Sequence, residues 1–240
     1  MSSERKVVLV VEDDPTLARA LLINLRARGF DTHTAATGGD GLAVLRRLRP
    51  DVVVLDLGLP DMDGADVLLA ARRWTQVPVI VLSARADSHE KVALLSIGAD
   101  DYVTKPFGMD ELVARILAAA RRGPNPAESQ ASPEFTTPDF TIDLAAATVA
   151  VGGTQVRVTP TEWRILQVLV QHAGALVPRA DLLRAVWGEG YEREGHYLRV
   201  YVSQLRHKLE PDPAHPRYLI TEPGIGYRLQ TASEQPTSES

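Results

Sequence analysis

Asp51-Val52-Val53-Val54-Leu55-Asp56 decides the fold of the first half of this chain, together with the Leu57-Gly58-Leu59-Pro60-Asp61-Met62-Asp63-Gly64 that follows it. Val52 to Leu55 is apolar without alternation. A strand with one face in water places a polar side chain at every second position, so this strand is covered on both faces, as in a parallel sheet. Asp56 closes the run, a stretch rich in Gly, Pro and Asp follows, and apolar residues return at helical spacing from Ala65 to Arg73. Strand, turn and helix make one βα unit.

The unit recurs on both sides. Lys6 to Val11, Val77 to Leu82 and Asp101 to Val103 read as strands, with a weaker one at Asp31 to Ala35. Pro15 to Arg28, Gly39 to Leu48, Ser88 to Ile97 and Met109 to Arg122 read as helices, with Leu17, Leu21 and Leu25 on one stripe. Asp14 before Pro15 is a helix start, an N-cap followed by proline at the first helical position. Five βα units in series predict a doubly wound α/β domain: a parallel sheet with helices on both faces.

The texture then changes. Gly123 to Pro133 is polar, Pro-rich and aperiodic, which reads as a linker. Short strands are expected at Phe140 to Leu144, Thr148 to Val151 and Gln155 to Val158. Helical patterns follow at Pro160 to His172, Arg179 to Val186 and His196 to Leu209. A last pair of strands, Tyr218 to Thr221 and Gly226 to Leu229, brackets Glu222-Pro223-Gly224-Ile225. Thr231 to Ser240, rich in Ser, Thr and Glu, reads as a disordered tail.

Composition narrows the classes. With 240 residues, 45% hydrophobic and 24% charged, the chain suits a globular protein of one large or two modest domains, and either half is long enough to bury its own core. It has no cysteine, which removes disulfides, thiolate zinc sites and cysteine nucleophiles. The apolar run Val7 to Val11 is too short for a signal peptide or a membrane span, so we expect a cytoplasmic protein without membrane insertion. The net charge of -5 means that any nucleic-acid surface is local.

In open α/β sheets, ligands bind beyond the carboxyl ends of the strands. Those positions hold Glu12-Asp13-Asp14, Asp56, Ser83-Ala84 and Thr104-Lys105-Pro106. A dinucleotide fold sets glycines after its first strand; here carboxylates stand there and repel phosphate unless a divalent cation intervenes. Oxygen-only ligands suit Mg²⁺. A carboxylate can itself be the nucleophile and form an acyl phosphate, with Lys105 neutralising a phosphoryl oxygen and Ser83 hydrogen-bonding one. A lone Asp at a strand end is ordinarily a turn or cap residue, but four apt residues at four ends of one sheet make a site.

Val10-Val11-Glu12-Asp13-Asp14, Leu55 to Gly64, Leu82-Ser83-Ala84-Arg85 and Gly98 to Phe107 together resemble the receiver domain of two-component response regulators, over residues 5 to 122. The resemblance implies phosphorylation of Asp56 by a sensor histidine kinase. It implies Mg²⁺ held by Asp13, Asp56 and the Gly58 carbonyl, with Glu12 acting mainly through water. It assigns Lys105 to the phosphoryl group, with a cis bond to Pro106, and makes Ser83 and Tyr102 a switch pair. Catalysis would then be limited to the domain's own phosphorylation and dephosphorylation. A stand-alone Mg²⁺-dependent phosphatase of the haloacid-dehalogenase type needs a second Asp two residues after the nucleophile, and that position is Gly58. A receiver that only binds a protein partner, without phosphorylation, is the remaining alternative.

In the helix from His196 to Leu209, Leu198, Val202, Leu205 and Leu209 form the core stripe. The other side shows His196, Val200, Ser203, Gln204 and His207, flanked by Arg199 and Arg206, a mixture of base-edge readers and phosphate-binding cations. Charge alone decides nothing, because Pro160 to Gln230 holds nine Lys and Arg against eight Asp and Glu. Val158 to Trp163, Leu182 to Gly188, Val200 to Leu209 and Gly224 to Arg228 resemble the winged helix of the OmpR/PhoB-type regulators. That resemblance implies binding to double-stranded promoter DNA, with the last helix in the major groove. It makes the hairpin from Pro223 to Tyr227 the wing, with Gly224 and Tyr227 at the DNA, Arg206 a phosphate contact, and RNA polymerase a partner. Pro223 stands where some relatives carry a minor-groove arginine. Trp163 and Trp187 read as core.

The same family implies a homodimer through the fourth helix, fifth strand and fifth helix, using Lys91, Asp100, Asp101, Glu111, Arg115 and Arg122. Lys91 would pair with Glu111 and Asp101 with Arg115 across subunits, around Val92, Leu95 and Ala114. The expected organisation is a receiver at 1–123, a linker at 124–134, an α+β winged-helix domain at 135–231 and a tail at 232–240. Asp56 to Pro60, His196 to Tyr201 and Pro213 to Glu222 further resemble the branch of this family that controls a high-affinity potassium-transport operon, whose kinase is a membrane sensor.

Overall fold

A computed structural model describes residues 5–84, 87–120, 134–192 and 194–230. The expected linker, the tail and Arg122 lie outside the described residues, except that Glu134, expected as linker, opens a strand. The chain divides into two compact units, Met1–Arg121 and Arg122–Ser240.

The first unit is a five-stranded parallel sheet of β1 (Val7–Val11), β2 (Asp31–Ala35), β3 (Val52–Asp56), β4 (Val79–Ser83) and β5 (Asp101–Thr104), in the order β2-β1-β3-β4-β5. The helices between and after them are α1 (Pro15–Ala27), α2 (Gly38–Leu48), α3 (Gly64–Arg72), α4 (Ser88–Ser96) and α5 (Met109–Ala120). Val8, Val10, Val52, Val54, Ile80 and Leu82 pack with Leu21, Leu25, Leu112 and Ile116 in one core between the sheet and α1 and α5. The alternate residues Leu9, Val11, Val53, Leu55 and Val81 are buried on the other face. Both faces are therefore dry, which is why these strands do not alternate.

Short side chains start the helices. Asp14 Oδ1 accepts from Thr16 N at 2.8 Å, Asp63 Oδ1 from Ala65 N at 2.8 Å and Asp87 Oδ1 from His89 N at 3.0 Å. Asp61 reaches from the β3–α3 connection to α2, where its carboxylate accepts from Gly38 N at 2.8 Å and Gly39 N at 2.9 Å. Those amide dipoles, Gly39 first and then Gly38, hold the Asp61 carboxyl below its ordinary pKa.

The second unit opens with an antiparallel sheet, β6 (Glu134–Thr136), β7 (Phe140–Asp143), β8 (Thr148–Val151) and β9 (Thr154–Gln155). Three helices follow, α6 (Pro160–Gln171), α7 (Arg179–Trp187) and α8 (Gly195–Leu209). A second sheet joins β10 (Leu176–Pro178), β12 (Gly226–Leu229) and β11 (Leu219–Glu222) in that order. The sequence pattern did not reveal β6 or β10. Each is three residues long, too short for a visible period, and is a strand only because β7 and β12 offer it hydrogen bonds.

One carboxylate ties the helices together. Glu162 Oε2 accepts from Thr159 N at 2.6 Å while Thr159 Oγ1 accepts from Glu162 N at 3.3 Å, a capping box. The same Oε2 takes a 2.6 Å bond from Lys208 Nζ, so the start of α6 is clamped to the end of α8. The stripe of Leu198, Val202, Leu205 and Leu209 is buried as expected. Trp187 is buried too, 5.6 Å from the Tyr201 ring and 5.7 Å from Tyr197, whereas Trp163 is only half-buried.

Candidate functional site: an acidic pocket and an arginine cleft

The pocket forms because neighbouring parallel strands end side by side. β1 delivers Glu12 and Asp13, β3 delivers Asp56, and β4 and β5 deliver Ser83 and, one residue past Thr104, Lys105. Oxygens of Glu12, Asp13 and Asp56 lie within 4.8 Å of one another. Glu12 and Asp56 are 2% and 6% exposed, while Asp13 is open to solvent. Lys105 Nζ reaches both buried acids, at 2.8 Å from Glu12 Oε2 and 3.0 Å from Asp56 Oδ1. The Lys105–Pro106 bond is cis.

Burial raises the pKa of Glu12, and the hydrogen bond from Lys105 only partly offsets it; the Asp56 charge pushes the same way as burial. Burial works against the ammonium of Lys105, but its bonds to Glu12 and Asp56 outweigh that and raise its pKa. Three carboxylates gather here and one ammonium reaches two of them, an excess of negative oxygen that suits a small hard cation.

Gly64 shapes the floor. A Cβ on it would sit 2.3 Å from the Asp56 carbonyl oxygen and 2.7 Å from Leu57 Cα, so only glycine lets α3 start directly behind the acidic residue. Asp61 and Gly64 both lie in the stretch first quoted, but their roles depend on where α2 and the Asp56 backbone sit. Gly58 is exposed, and a Cβ on it would stand 3.7 Å from Asp56 Oδ2. Ser83 and Tyr102 are buried, at 3% and 2% exposure. Lys91 Nζ lies 5.1 Å from the centroid of the Tyr102 ring.

The expected pairing face needs corrections. Asp100 is 1% exposed and bonds Arg72 Nη2 at 2.9 Å and Val79 N at 3.0 Å, so it is an internal brace and not a surface charge. Leu95 is fully buried, whereas Val92 and Ala114 are exposed. Arg115 is engaged within its own chain, with Nη1 3.0 Å from Asp101 Oδ1 and Nη2 2.8 Å from Glu111 Oε1. Spacing in sequence could not show that the β4–β5 edge draws Asp100 inward.

In the second unit a cleft of about 420 Å³ lies between α8 and the β11–β12 hairpin. Arg179, Arg199 and Arg206 line it, with Thr221 and Tyr227. Burial raises the Tyr227 pKa, and the guanidinium groups of Arg206, Arg199 and Arg179 pull the other way. Arg206 is not free for a phosphate alone: Nη2 donates to Leu219 O at 2.6 Å and to Thr221 Oγ1 at 2.7 Å. Its desolvation lowers its pKa. Arg199, Ser203 and His207 are exposed on α8, while His196, Val200 and Gln204 are half-buried. Tyr227 is buried, so its phenol lines the cleft and does not project from the hairpin. Gly224, at φ +77°, turns the hairpin, and Ile225 beside it is 56% exposed. Gly226 is needed for packing, since a Cβ there would lie 2.0 Å from Val177 O. Arg179 escaped the sequence reading because it begins α7, remote in sequence from α8.

Two family descriptions match the two units: "Response regulator receiver domain" over residues 8–117 and "Transcriptional regulatory protein, C terminal" over residues 153–229. The chain belongs to the OmpR/PhoB-type response regulators, two-component proteins that bind DNA and regulate transcription. It is 54% identical over 224 residues to the transcriptional regulatory protein KdpE of Mycobacterium tuberculosis, covering 93% of this chain and 99% of that one. It is 46% identical over 222 residues to the KDP operon transcriptional regulatory protein KdpE of Escherichia coli, covering 92% and 98%. A solved structure of a RitR cysteine-to-aspartate mutant matches with a TM-score of 0.76 at 26% identity, covering 94% of this chain and 99% of that one. No helix among the described residues is long and apolar enough to cross a membrane.

Proposed function

We propose that Asp56 accepts a phosphoryl group from a sensor histidine kinase and that this controls binding of the second unit to promoter DNA. The observation that carries the reading is the convergence of Glu12, Asp13 and Asp56 within 4.8 Å, with Lys105 bonded to two of them. An Asp56 carboxylate oxygen forms the new O–P bond as the P–N bond to the kinase histidine breaks. Lys105, already beside Asp56, neutralises an incoming phosphoryl oxygen, and Ser83 hydrogen-bonds another as Tyr102 fills the space behind it. Glu12, Asp13, Asp56 and the Gly58 carbonyl would hold Mg²⁺, which would offset charge repulsion between these acids and the phosphoryl group. The same pocket catalyses the loss of the phosphoryl group, and this is the only chemistry assigned to the protein.

Phosphorylation favours a homodimer through α4, β5 and α5, using Lys91, Asp101, Glu111 and Arg115 around Val92 and Ala114. Arg115 must then be shared between its own chain and its partner. If Arg115→Ala left phosphorylation-driven dimerisation unchanged in sedimentation, that pairing would be wrong. On DNA, α8 enters the major groove through Arg199, Ser203 and His207, with His196, Val200 and Gln204 beside them, and the β11–β12 hairpin follows the backbone. The KdpE relatives, one of them a regulator of the KDP operon, support an operon of that kind as the target; we take it to be a potassium-transport operon, with a KdpD-type membrane kinase as the partner, contact with RNA polymerase and a cytoplasmic location.

The test is fluorescence anisotropy with DNA upstream of the potassium-transport operon, at fixed salt. Protein alone, protein with Mg²⁺ and acetyl phosphate, and Asp56→Ala are compared. Tighter binding with the phosphodonor, absent in the variant, supports the switch. Specific binding indifferent to donor and variant makes the receiver a protein-interaction module instead. Phosphorylation without binding removes the potassium operon as target.

A further inference from the structure

We propose that the cleft between the carboxyl-terminal ends of α2 and α3 binds a free nucleotide. It lies at the opposite end of the sheet from Asp56. Pro50 and Val77 come before β3 and β4, whereas Asp56 and Ser83 end them, so the two sites are separated by roughly 20 Å at about 3.3 Å per strand residue.

The cavity is about 450 Å³, within the range of small-molecule sites and large enough for a mononucleotide. Leu45, Pro50 and Val77 give it apolar walls, and Trp74 adds an indole. Thr75 accepts from Val77 N at 3.2 Å, which leaves its own hydroxyl proton to donate. Two guanidinium groups, Arg46 and Arg49, complete the lining. Arg46 Cζ lies 5.1 Å from the centroid of the Trp74 ring. Stacking of this kind fixes a guanidinium in place and leaves its edge donors open. Arg49 caps α2 in the left-handed region, at φ 48°. Glycine adopts that conformation with least strain, yet this chain carries a cationic side chain there. Among the described residues neither arginine has a carboxylate partner, and Asp51 next along the chain is held by Lys6 Nζ at 3.3 Å and Val7 N at 2.8 Å.

Arginines in a last helical turn can simply offset the helix dipole. That account requires neither an indole beneath one of them nor an apolar chamber between them. Two forked donors without a carboxylate partner among the described residues, a π surface and apolar walls suit a ligand with a phosphate at one end and a planar base at the other. Neither the acidic pocket nor the DNA-facing cleft uses any of these residues.

The test follows the indole N–H resonance of Trp74 in the full-length, ¹⁵N-labelled protein, identified by its loss in Trp74→Phe. Titrations with AMP, adenosine and inorganic phosphate are run in EDTA, so that no metal bridges ligands to the acidic pocket. The expected result is a saturable shift with AMP that is roughly tenfold weaker with adenosine or phosphate alone. Arg46→Ala and Arg49→Ala, both at exposed positions, should each weaken AMP roughly tenfold, which corresponds to about 1.4 kcal/mol. No saturable shift overturns the proposal. A response to phosphate as strong as to AMP makes this an anion site only and overturns the nucleotide assignment. A shift that survives both arginine variants, or is lost in Arg199→Ala, places the binding elsewhere.

Discussion

In the first unit, Glu12 and Asp56 are nearly buried and share one ammonium; in the second, three arginines gather around Tyr227 while Arg199, Ser203 and His207 stand in solvent. The acidic pocket keeps like charges out of water, which raises the Glu12 pKa and leaves the site receptive to a cation. The arginine cleft divides its charge between the protein itself and whatever it meets. Arg206 is already hydrogen-bonded to Leu219 and Thr221, and Arg199 is open. A site for chemistry needs electrostatic tension held by packing, whereas a site for recognition needs donors held in place but not satisfied.

The largest expected effect breaks the first half of this comparison. Asp56→Ala should abolish the mass gain on incubation with Mg²⁺ and acetyl phosphate, and a gain that persists would put the phosphoryl group on another residue. Gly64→Ala and Gly226→Ala come next. Each drives a Cβ into backbone, at 2.3 Å from Asp56 O and 2.0 Å from Val177 O, and each should cost about 3 kcal/mol. Amide exchange should rise around β3 and α3 in the first variant and around β10 and β12 in the second. If the sites are independent, Gly64→Ala weakens Mg²⁺ binding and leaves unphosphorylated DNA binding alone, and Gly226→Ala does the reverse.

Arg199→Ala and Arg206→Ala sharpen the second half. Both should weaken DNA binding, and each lost phosphate contact should reduce the slope of log affinity against log salt by about 1. Only Arg206→Ala should also lower the melting temperature, because among the described residues Arg206, and not Arg199, is hydrogen-bonded to its own chain. Equal stability in the two would mean that the bonds to Leu219 and Thr221 contribute nothing net.

The smallest effect belongs to Asp61→Ala, which removes the carboxylate that accepts from Gly38 N and Gly39 N at the start of α2 and leaves the Thr37 cap in place. Its folded-state pKa is depressed, so its contribution is present above the ordinary value of 3.8 and is lost as pH falls through the lower folded value. The melting temperature of the variant should lie slightly below that of the parent at neutral pH, and the two should converge in acid. A gap that persisted in acid would point to a role other than the charge on Asp61.

The five βα units and the strand-end residues were legible because each depends on short-range pattern. A run of apolar residues says that both faces are covered, and parallel topology then brings every carboxyl end to one edge, so Glu12, Asp56, Ser83 and Lys105 had to meet. The buried stripe of α8 was legible for the same reason. The inward turn of Asp100 onto Arg72, the reach of Asp61 to α2, the requirement for glycine at Gly64 and Gly226, and the entry of Arg179 into the cleft beside α8 were not. Each is a contact that reaches beyond local patterning, across the turn from Asp56 for Gly64 and between elements distant in sequence for the rest, and its energy depends on distances that only the packed chain sets. Sequence alone determined the five βα units, the helices of the second unit and which polar residues stand at the strand ends, because periodicity and turn residues act within a few positions; it did not determine β6 and β10, which exist only through their partners. Tertiary structure alone decided which charges are braced inside and which remain open to a partner, because burial and hydrogen bonding are properties of the assembled surface.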